Sequence, residues 1–287
     1  MAKGRELKGR IKSVENTRKI TRTMEMIATS KMKRAQDRVV AARPYARALA
    51  DVISSLYNPE LAGSFPLLRQ PKQTRRAAVL LLTSNRGLAG GFNANLIKEA
   101  RLLIARLEGE RTEVELHVAG KKGIGYFRYV RRAMKSSRTD ITDRPTAADA
   151  ASLVDALMAD YASGALDAVY VVGSRYKSAL SAPPVSERVL PVERHEASGG
   201  GNKDYLLFPS AAEILSELLP AYVRNAVYKA LVETVAAEQS ARRTAMKNAT
   251  DNAGDMLNVL RRTYNRARQA NITQEIAEIV GGAAALE

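Results

Sequence analysis

The chain has 287 residues, 46% of them hydrophobic, no cysteine and a formal net charge of +15. That length holds about two domains' worth of chain with ample core-forming residues. The absence of cysteine excludes disulfides, thiolate metal sites and cysteine nucleophiles.

The two histidines, His117 and His195, lie far apart, which disfavours a metal site built on them. His117 alternates with apolar residues in a strand-like run and is expected at a half-buried or exposed sheet position. No apolar run approaches the roughly 18 residues of a membrane-spanning helix. The basic start lacks the apolar stretch of a signal peptide, so the chain is expected to be soluble and to stay where it is made. Its charge is localised. Residues 3–43 hold 13 Lys or Arg against 4 Asp or Glu, a net of +9, and residues 242–268 hold 7 against 2, a net of +5. The remainder is near neutral, so the cationic field belongs to the two ends, and nucleic acid or an acidic protein surface is its natural counterpart.

The first predicted element is a long helix. Its seam, at spacings of four and three, runs through Leu7, Ile11 and Val14, then Ala28, Met32, Ala35, Val39, Ala42, Ala46, Leu49, Ile53 and Leu56. Strict continuation would put Arg18, Thr21 and Glu25 inside the seam, where long or polar side chains are disfavoured. Ile20, Met24 and Ile27 form a second stripe on a rotated face. It is read either as a coiled-coil stutter or as a surface turned toward another protein. Pro44 lies inside the pattern and predicts a kink, at a cost of about 3 kcal/mol. Residues 58–75, with Pro59, Gly63, Pro66 and Pro71, read as a linker.

The next stretch changes character. Ala77–Thr83 is a continuous apolar run of strand length, followed by the glycine-bearing loop SNRGLAGGFN and a helical pattern over Ala94–Leu107. Strand-like runs recur at Glu113–Val118 and Ala168–Gly173, with a helical pattern at Thr146–Tyr161 between them. Strands alternating with helices predict parallel βαβ units and a Rossmann-like α/β domain over 76–208. Gly87, Gly90 and Gly91 lack dinucleotide-binding spacing. Around Gly120, Gly123 and Gly125 the lysines precede the glycines, with no Ser or Thr following to hold magnesium, so tight turns explain these glycines better than phosphate binding. Val189–Val192 reads as one more short strand, and Ser198–Asn202 as a flexible loop.

The last element is a second, longer helix, within 209–287. Ser210 with Glu213 makes a capping-box pattern at its entry. Ala237, Ala241, Ala245, Ala249 and Ala253 recur every four residues, extended by Val223, Val227, Leu231, Val235, Met256, Leu260 and Tyr264. At helical rise the stretch from 210 to 286 would reach roughly 100 Å and needs a partner along its length. Small side chains let that partner lie close. Only the N-terminal helix (1–57) matches it. Pro220 predicts a bend or a restart. Gly254, at a cost of about 1 kcal/mol relative to alanine, is read as a tolerated defect or a close contact. The predicted architecture is α/β plus a long antiparallel coiled coil, with N- and C-terminal helices paired and a central Rossmann-like α/β domain.

The run IKSVENTRKITRTMEMIATSKMKRAQ, the loop SNRGLAGGFN and the run ATDNAGDMLNVLRRTYNRARQANITQEIAEIVGGA, in this order, closely resemble the gamma subunit of F-type ATP synthases. Ile272, Thr273, Glu275, Glu278, Gly282 and Ala283 match the family's signature spacing. Asn85 and Ala89 depart from the Asp and Cys of many relatives without touching the core role.

The resemblance implies a non-catalytic central shaft that turns inside a ring of alpha and beta subunits. Its α/β foot would lie near the epsilon subunit and the rotor ring of c subunits, with no cofactor or metal and no nucleic acid among its partners. It further implies that Met24, Lys31, Lys33 and Arg34 face the acidic lever loop of the beta subunit, and that Arg268, Gln269, Thr273 and Glu275 meet a second beta-subunit loop. A start that enters the helix directly favours a bacterial chain at the cytoplasmic face of the inner membrane. A basic coiled-coil nucleic-acid binder and a nucleotide-dependent enzyme are the competing readings.

Overall fold

In the computed structural model, residues 2–56, 65–192 and 210–284 are described. The elements in chain order are α1 (Ala2–Leu56), a 3-10 turn (Pro66–Leu68), β1 (Arg76–Leu82), α2 (Phe92–Gly109), β2 (Glu113–Ala119), α3 (Lys121–Tyr129), β3 (Ser136–Arg138), α4 (Ala147–Ala162), β4 (Ala168–Ser174), β5 (Pro184–Leu190) and α5 (Ala211–Ala284). The chain divides into two compact units, a helical pair (1–29 with 242–287) and a body (30–241). The flexible loop expected at Ser198–Asn202, and His195, lie outside the described residues.

The body is built on a five-stranded sheet of order β3-β2-β1-β4-β5, parallel except for the antiparallel β4–β5 pair. β1 explains why its sequence is a continuous apolar run rather than an alternating one. Ala78, Leu80 and Leu82 enter one core with α4, while Ala77, Val79 and Leu81 enter the other with α2 and α3. A central parallel strand covered on both faces has no polar side. The first core also takes Leu215, Leu219, Val223, Val227 and Leu231 of α5, Ile53 and Leu56 of α1, and Leu67 and Leu68 of the 3-10 turn. The end of the proline-containing stretch therefore contributes to the core.

From Leu231 to Ser240 every α5 residue except Val235 is buried, as expected of a helix covered on all sides. Its polar residues are satisfied there. Thr234 Oγ1 accepts from Ser174 N (3.0 Å), and the Glu233 carboxylate accepts from Tyr176 N (3.1 Å). Burial pushes the Glu233 carboxyl up from its usual range, against the lowering effect of Lys229.

Three expectations for the body are corrected. β5 runs over Pro184–Leu190 instead of Val189–Val192; Pro191, without an N–H, cannot extend the ladder. His117 is buried, with Nδ1 2.8 Å from Ser136 Oγ, because β3 covers it. Desolvation holds its pKa below the usual histidine value. β3 itself left no apolar signature in Ser136–Arg138. Both long helices continue through their prolines, so α5 does not restart at Pro220. Pro44 leaves the Val40 carbonyl without its helical donor, and both residues are exposed. At the entry to α5, Glu213 N donates to Ser210 Oγ (3.2 Å), the expected cap.

In the helical pair the seam does not break. Leu7, Ile11 and Val14 are half-buried, Thr21 is buried, Glu25 is half-buried and Ala28 is buried. The exclusion of Thr21 from the seam is thus overturned. Its hydroxyl meets Thr250 Oγ1 at 2.8 Å, so the polar layer is satisfied. Arg18 remains exposed but lies across Gly254, with its guanidinium 3.8 Å from where a Cβ would stand. At that distance an added methyl group would make only ordinary contact, which favours the tolerated-defect reading of Gly254. Glu15 pairs with Arg261 at 2.6 Å, and the direction of these pairs makes the helices antiparallel. On α5, Met246, Thr250, Ala253 and Leu257 are buried. Met256, expected in the seam, is exposed, and Leu257 takes its place.

Candidate functional site

The glycine loops are the first place to look for chemistry, because α/β folds bind ligands beyond the carboxyl ends of their strands, where strand order reverses. Here that point lies between β1 and β4. A Cβ added to Gly173 at the end of β4 would meet Thr234 Oγ1 at 2.7 Å and Leu82 at 3.6 Å. The chain's own α5 fills the crevice.

The amino terminus of α3, the other potential phosphate cradle, is equally occupied. Lys121 N donates to Asn85 Oδ1 (3.0 Å), Lys122 N to the Ser84 carbonyl (3.1 Å) and Gly123 N to Thr83 Oγ1 (3.0 Å). A phosphate would have to displace all three, which removes the anion-binding capacity of a helix start. Gly120 adopts φ +105°, and a Cβ there would stand 2.1 Å from the Thr83 carbonyl oxygen. Gly123 lets α3 press against Val118 and Thr83. The turn reading holds for Gly120, and Gly123 serves close helix–strand packing. Among the described residues no three His, Asp or Glu side chains cluster as metal ligands would.

The contact residues that the family resemblance implies lie on the two long helices. On α1 of the helical pair, Ile20 and Ile27 are 60% and 52% exposed, and Met24 is half-buried. The two isoleucines of this stripe face solvent, as expected of a rotated face. In the body, Lys31, Lys33 and Arg34 are each held on α1 by a different neighbour. Lys31 Nζ lies 2.5 Å from Asp143 Oδ2, Lys33 pairs with Asp37 one turn on at 2.9 Å, and Arg34 donates to Ser30 Oγ at 3.3 Å. The link from Lys31 to the loop after β3 was not legible in sequence, since 112 positions separate the two residues.

Toward the end of α5, Arg268, Gln269, Thr273 and Glu275 are all exposed; Thr273 Oγ1 donates to the Gln269 carbonyl (3.0 Å). The antiparallel register of the Glu15–Arg261 and Thr21–Thr250 pairs brings the start of α1 opposite the turn near Ile272. Beyond that turn α5 has no partner from α1. Ile272, Ile276, Ile279 and Val280 are exposed there, Ile279 by 71%. At spacings of four, three and one they form a single stripe, with Arg268 and Glu275 on one flank and Thr273 on the other. Sequence reasoning chose the polar residues as the contact, named Ile272 only for its spacing, and missed Ile276, Ile279 and Val280. Their helical spacing was the available signal.

A family model described as ATP synthase matches residues 3–286. The chain is 67% identical to the ATP synthase gamma chain of Gemmatimonas aurantiaca, over the whole of both chains. The chain belongs to the ATP synthase gamma chain family. The gamma chain of Leptospira biflexa is 43% identical, again over both full lengths, and that of Frankia casuarinae is 45% identical over 98% of this chain and 97% of the relative.

Among solved structures, the central stalk and c-ring structure of the Tetrahymena thermophila mitochondrial ATP synthase contains a similar chain. It is 25% identical with TM-score 0.62, covering 80% of this chain and 99% of that one. A chain from the Euglena gracilis mitochondrial enzyme shares the fold at 18% identity, TM-score 0.67, over 99% and 95% of the two chains. Membership in the gamma chain family makes this chain a central-stalk subunit of the F-type ATP synthase, and the nucleic-acid reading finds no support. No helix among the described residues is long and apolar enough to cross a membrane.

Proposed function

We propose that this gamma-family chain is a non-catalytic shaft. It couples rotation of an ion-driven ring of c subunits to sequential conformational change at catalytic sites on the beta subunits. The observation that carries the reading is the end of α5, where Ile272, Ile276, Ile279 and Val280 are exposed on a helix that has outrun its partner. A contiguous apolar stripe of this kind is a contact surface. Arg268, Gln269, Thr273 and Glu275 beside it supply charge-assisted hydrogen bonds of about 1.5–3 kcal/mol to a beta-subunit loop, enough to bias one conformer without locking rotation.

Met24 on the helical pair, and Lys31, Lys33 and Arg34 on the body, face the acidic lever loop of the beta subunit. Because one asymmetric shaft presents a different surface to each of several equivalent subunits, turning it changes their relative stabilities in sequence. Coupling therefore works through differential contacts.

In this scheme 1–57 and 209–287 form the paired shaft, 58–75 links them to the foot, and 76–208 is the foot, which meets the epsilon subunit and the c ring. The coupling ion is a proton or sodium, and the complex works at the cytoplasmic face of a bacterial inner membrane. The filled crevice between β1 and β4 and the occupied start of α3 support a shaft with no nucleotide chemistry of its own.

The test is reconstitution with alpha and beta subunits from the same source. The expected result is an inert chain that co-elutes in one copy per ring and raises multi-site ATP hydrolysis. Failure to join the ring, or saturable nucleotide turnover by the isolated chain, overturns the proposal.

A further inference from the structure

The crossover helices α2, α3 and α4 all end at the edge of the sheet where the parallel strands begin. The first residue past each C-cap has a positive φ: Arg111 at 61°, Arg131 at 56° and Gly164 at 81°. Such a backbone favours glycine, because a side chain there crowds the neighbouring carbonyl oxygen. α4 has the glycine, whereas α2 and α3 have arginine. Their caps are otherwise complete. Arg111 N donates to the Glu108 carbonyl (3.0 Å) and Thr112 N to that of Leu107 (2.9 Å), as Arg131 N does to Arg128 (3.1 Å) and Arg132 N to Phe127 (3.0 Å).

Nothing described within the chain offsets this strain. Arg111 and Arg131 are exposed, and among the described residues neither guanidinium has a hydrogen bond or an ion pair. Arg101, Arg106 and Arg128 also lack a carboxylate, but they occupy ordinary helical backbone, where arginine is a good helix former. What sets Arg111 and Arg131 apart is the conformation that the chain accepts in order to place them. Strain of this kind persists where a site requires it.

The two caps adjoin, since Arg132 pairs with Glu108 at 2.7 Å. Immediately before Arg131 stand Tyr129, 85% exposed, and Val130, 45% exposed. Glu108 is taken by Arg132 and Glu113 by Arg76 at 3.5 Å, which leaves Glu110 against Arg111, Arg128 and Arg131. One small surface thus combines a protruding aromatic residue, an apolar neighbour and an excess of arginine.

We infer that this surface rests on anionic phospholipid headgroups. Guanidinium groups bind phosphate oxygens in a fork, and a tyrosine with an apolar ring and a polar tip suits the boundary between headgroups and acyl chains. Position within the body agrees. Lys31 is tied to the loop after β3, and Ser240 Oγ donates to the Ala179 carbonyl beyond β4, so the chain passes to the other unit at the carboxyl ends of the strands. The arginine caps lie at the opposite end, beside Arg75 and Arg76 at the start of β1. The inference rests on the shaft reading, which turns that end toward the membrane and the c ring. With three arginines and one tyrosine the contact is weak, so it can slide as the shaft turns.

The chain has no tryptophan, so Tyr129→Trp makes a single reporter at the surface in question. The full-length variant is mixed with vesicles of equal phosphatidylglycerol and phosphatidylcholine. Its emission is expected to shift to the blue and to be quenched by lipids brominated in the upper acyl chain; phosphatidylcholine vesicles should do neither. The control is Tyr45→Trp, 58% exposed and close to Arg43 and Arg47, which registers general adsorption of a basic chain without shifting. In the Tyr129→Trp chain, Arg111→Gly and Arg131→Gly should each lower partition about fivefold, with a melting temperature no lower than before.

The inference is overturned if Tyr129→Trp does not shift, if Tyr45→Trp shifts equally, or if the glycine variants partition as well as their parent. A lower melting temperature in the glycine variants would show that the arginines serve the fold, which also overturns it. So does displacement from vesicles by free glycerol phosphate where chloride at equal ionic strength has no effect, since the site would then be one for a soluble phosphate. Reconstitution separates this from the larger reading. If the chain does not join alpha and beta subunits, the shaft proposal falls while the reporter still judges the surface; if it joins and the reporter is silent, only the lipid proposal falls.

Discussion

The Thr21–Thr250 layer offers the sharpest test of how the helical pair keeps its register. Thr250 Oγ1 lies 2.8 Å from both the Met246 carbonyl and Thr21 Oγ1, and Thr21 Oγ1 lies 3.1 Å from the Arg18 carbonyl. Two hydroxyl protons thus serve three contacts, and each threonine has a carbonyl on its own helix to fall back on. Thr250→Val or Thr21→Val alone removes the bond between the helices but strands no buried donor. Each is expected to cost about 0.5–1.5 kcal/mol, the net worth of a neutral hydrogen bond. With both replaced, two apolar side chains of the same shape face each other, and the double variant should return close to the parent stability.

The predicted coupling energy, the near-zero double cost less the two single costs, is therefore about 1–3 kcal/mol in magnitude from a double-mutant cycle. Because the chain has two units, a single global unfolding free energy is a poor readout. Amide hydrogen exchange over Met246–Leu257 at rising urea reads the pair directly. Additive single costs, with coupling under about 0.3 kcal/mol, would refute the bond across the interface. A double variant less stable than either single would refute the expectation that two facing valines restore the parent stability.

Four further outcomes are expected. Gly254→Ala should stabilise the helical pair by about 0.5–1 kcal/mol through helix propensity, since the nearest atom to the new Cβ is Arg18 at an ordinary 3.8 Å; loss of exchange protection over the same segment would show that Arg18 needs the space. Gly120→Ala should destabilise the body by well over about 1–2 kcal/mol, because φ +105° and the Thr83 carbonyl 2.1 Å away both exclude a side chain. A normal melting temperature would contradict that.

Arg268→Ala combined with Gln269→Ala should lower turnover of the reconstituted complex more than its assembly, and normal turnover would remove the proposed beta-subunit contact. Arg138 holds the Asp140 carboxyl down at about 2. Because this folded value is depressed, the pair's small contribution is present above the ordinary aspartate range near ~3.9 and fades as pH falls toward about 2. A carboxyl NMR titration should show that low midpoint and its rise in Arg138→Ala; a midpoint near the ordinary value in the parent chain would rule the pair out.

Much of the architecture was legible because periodicity reports burial. The apolar run of β1 announced a strand, and the helical spacing of Leu7, Ile11, Val14 and their successors announced a seam. The isoleucines at the end of α5 carried the same kind of signal. Short polar segments had none to give. β3 is three polar residues whose strand character comes from pairing with His117, Val118 and Ala119, and that pairing is also what buried His117.

The sequence alone determined the helix and strand periods, the location of the cationic charge and the absence of thiol chemistry, because each depends on residues close together in the chain or on composition. Tertiary structure decided whether a polar residue in a seam is an error or a bonded layer, because Thr21 is acceptable only with Thr250 opposite it. It decided likewise that Arg18 lies across Gly254, and that Lys31 is engaged by Asp143. In each case the energy resides in a pair whose members are far apart in sequence, and only folding brings them within bonding distance.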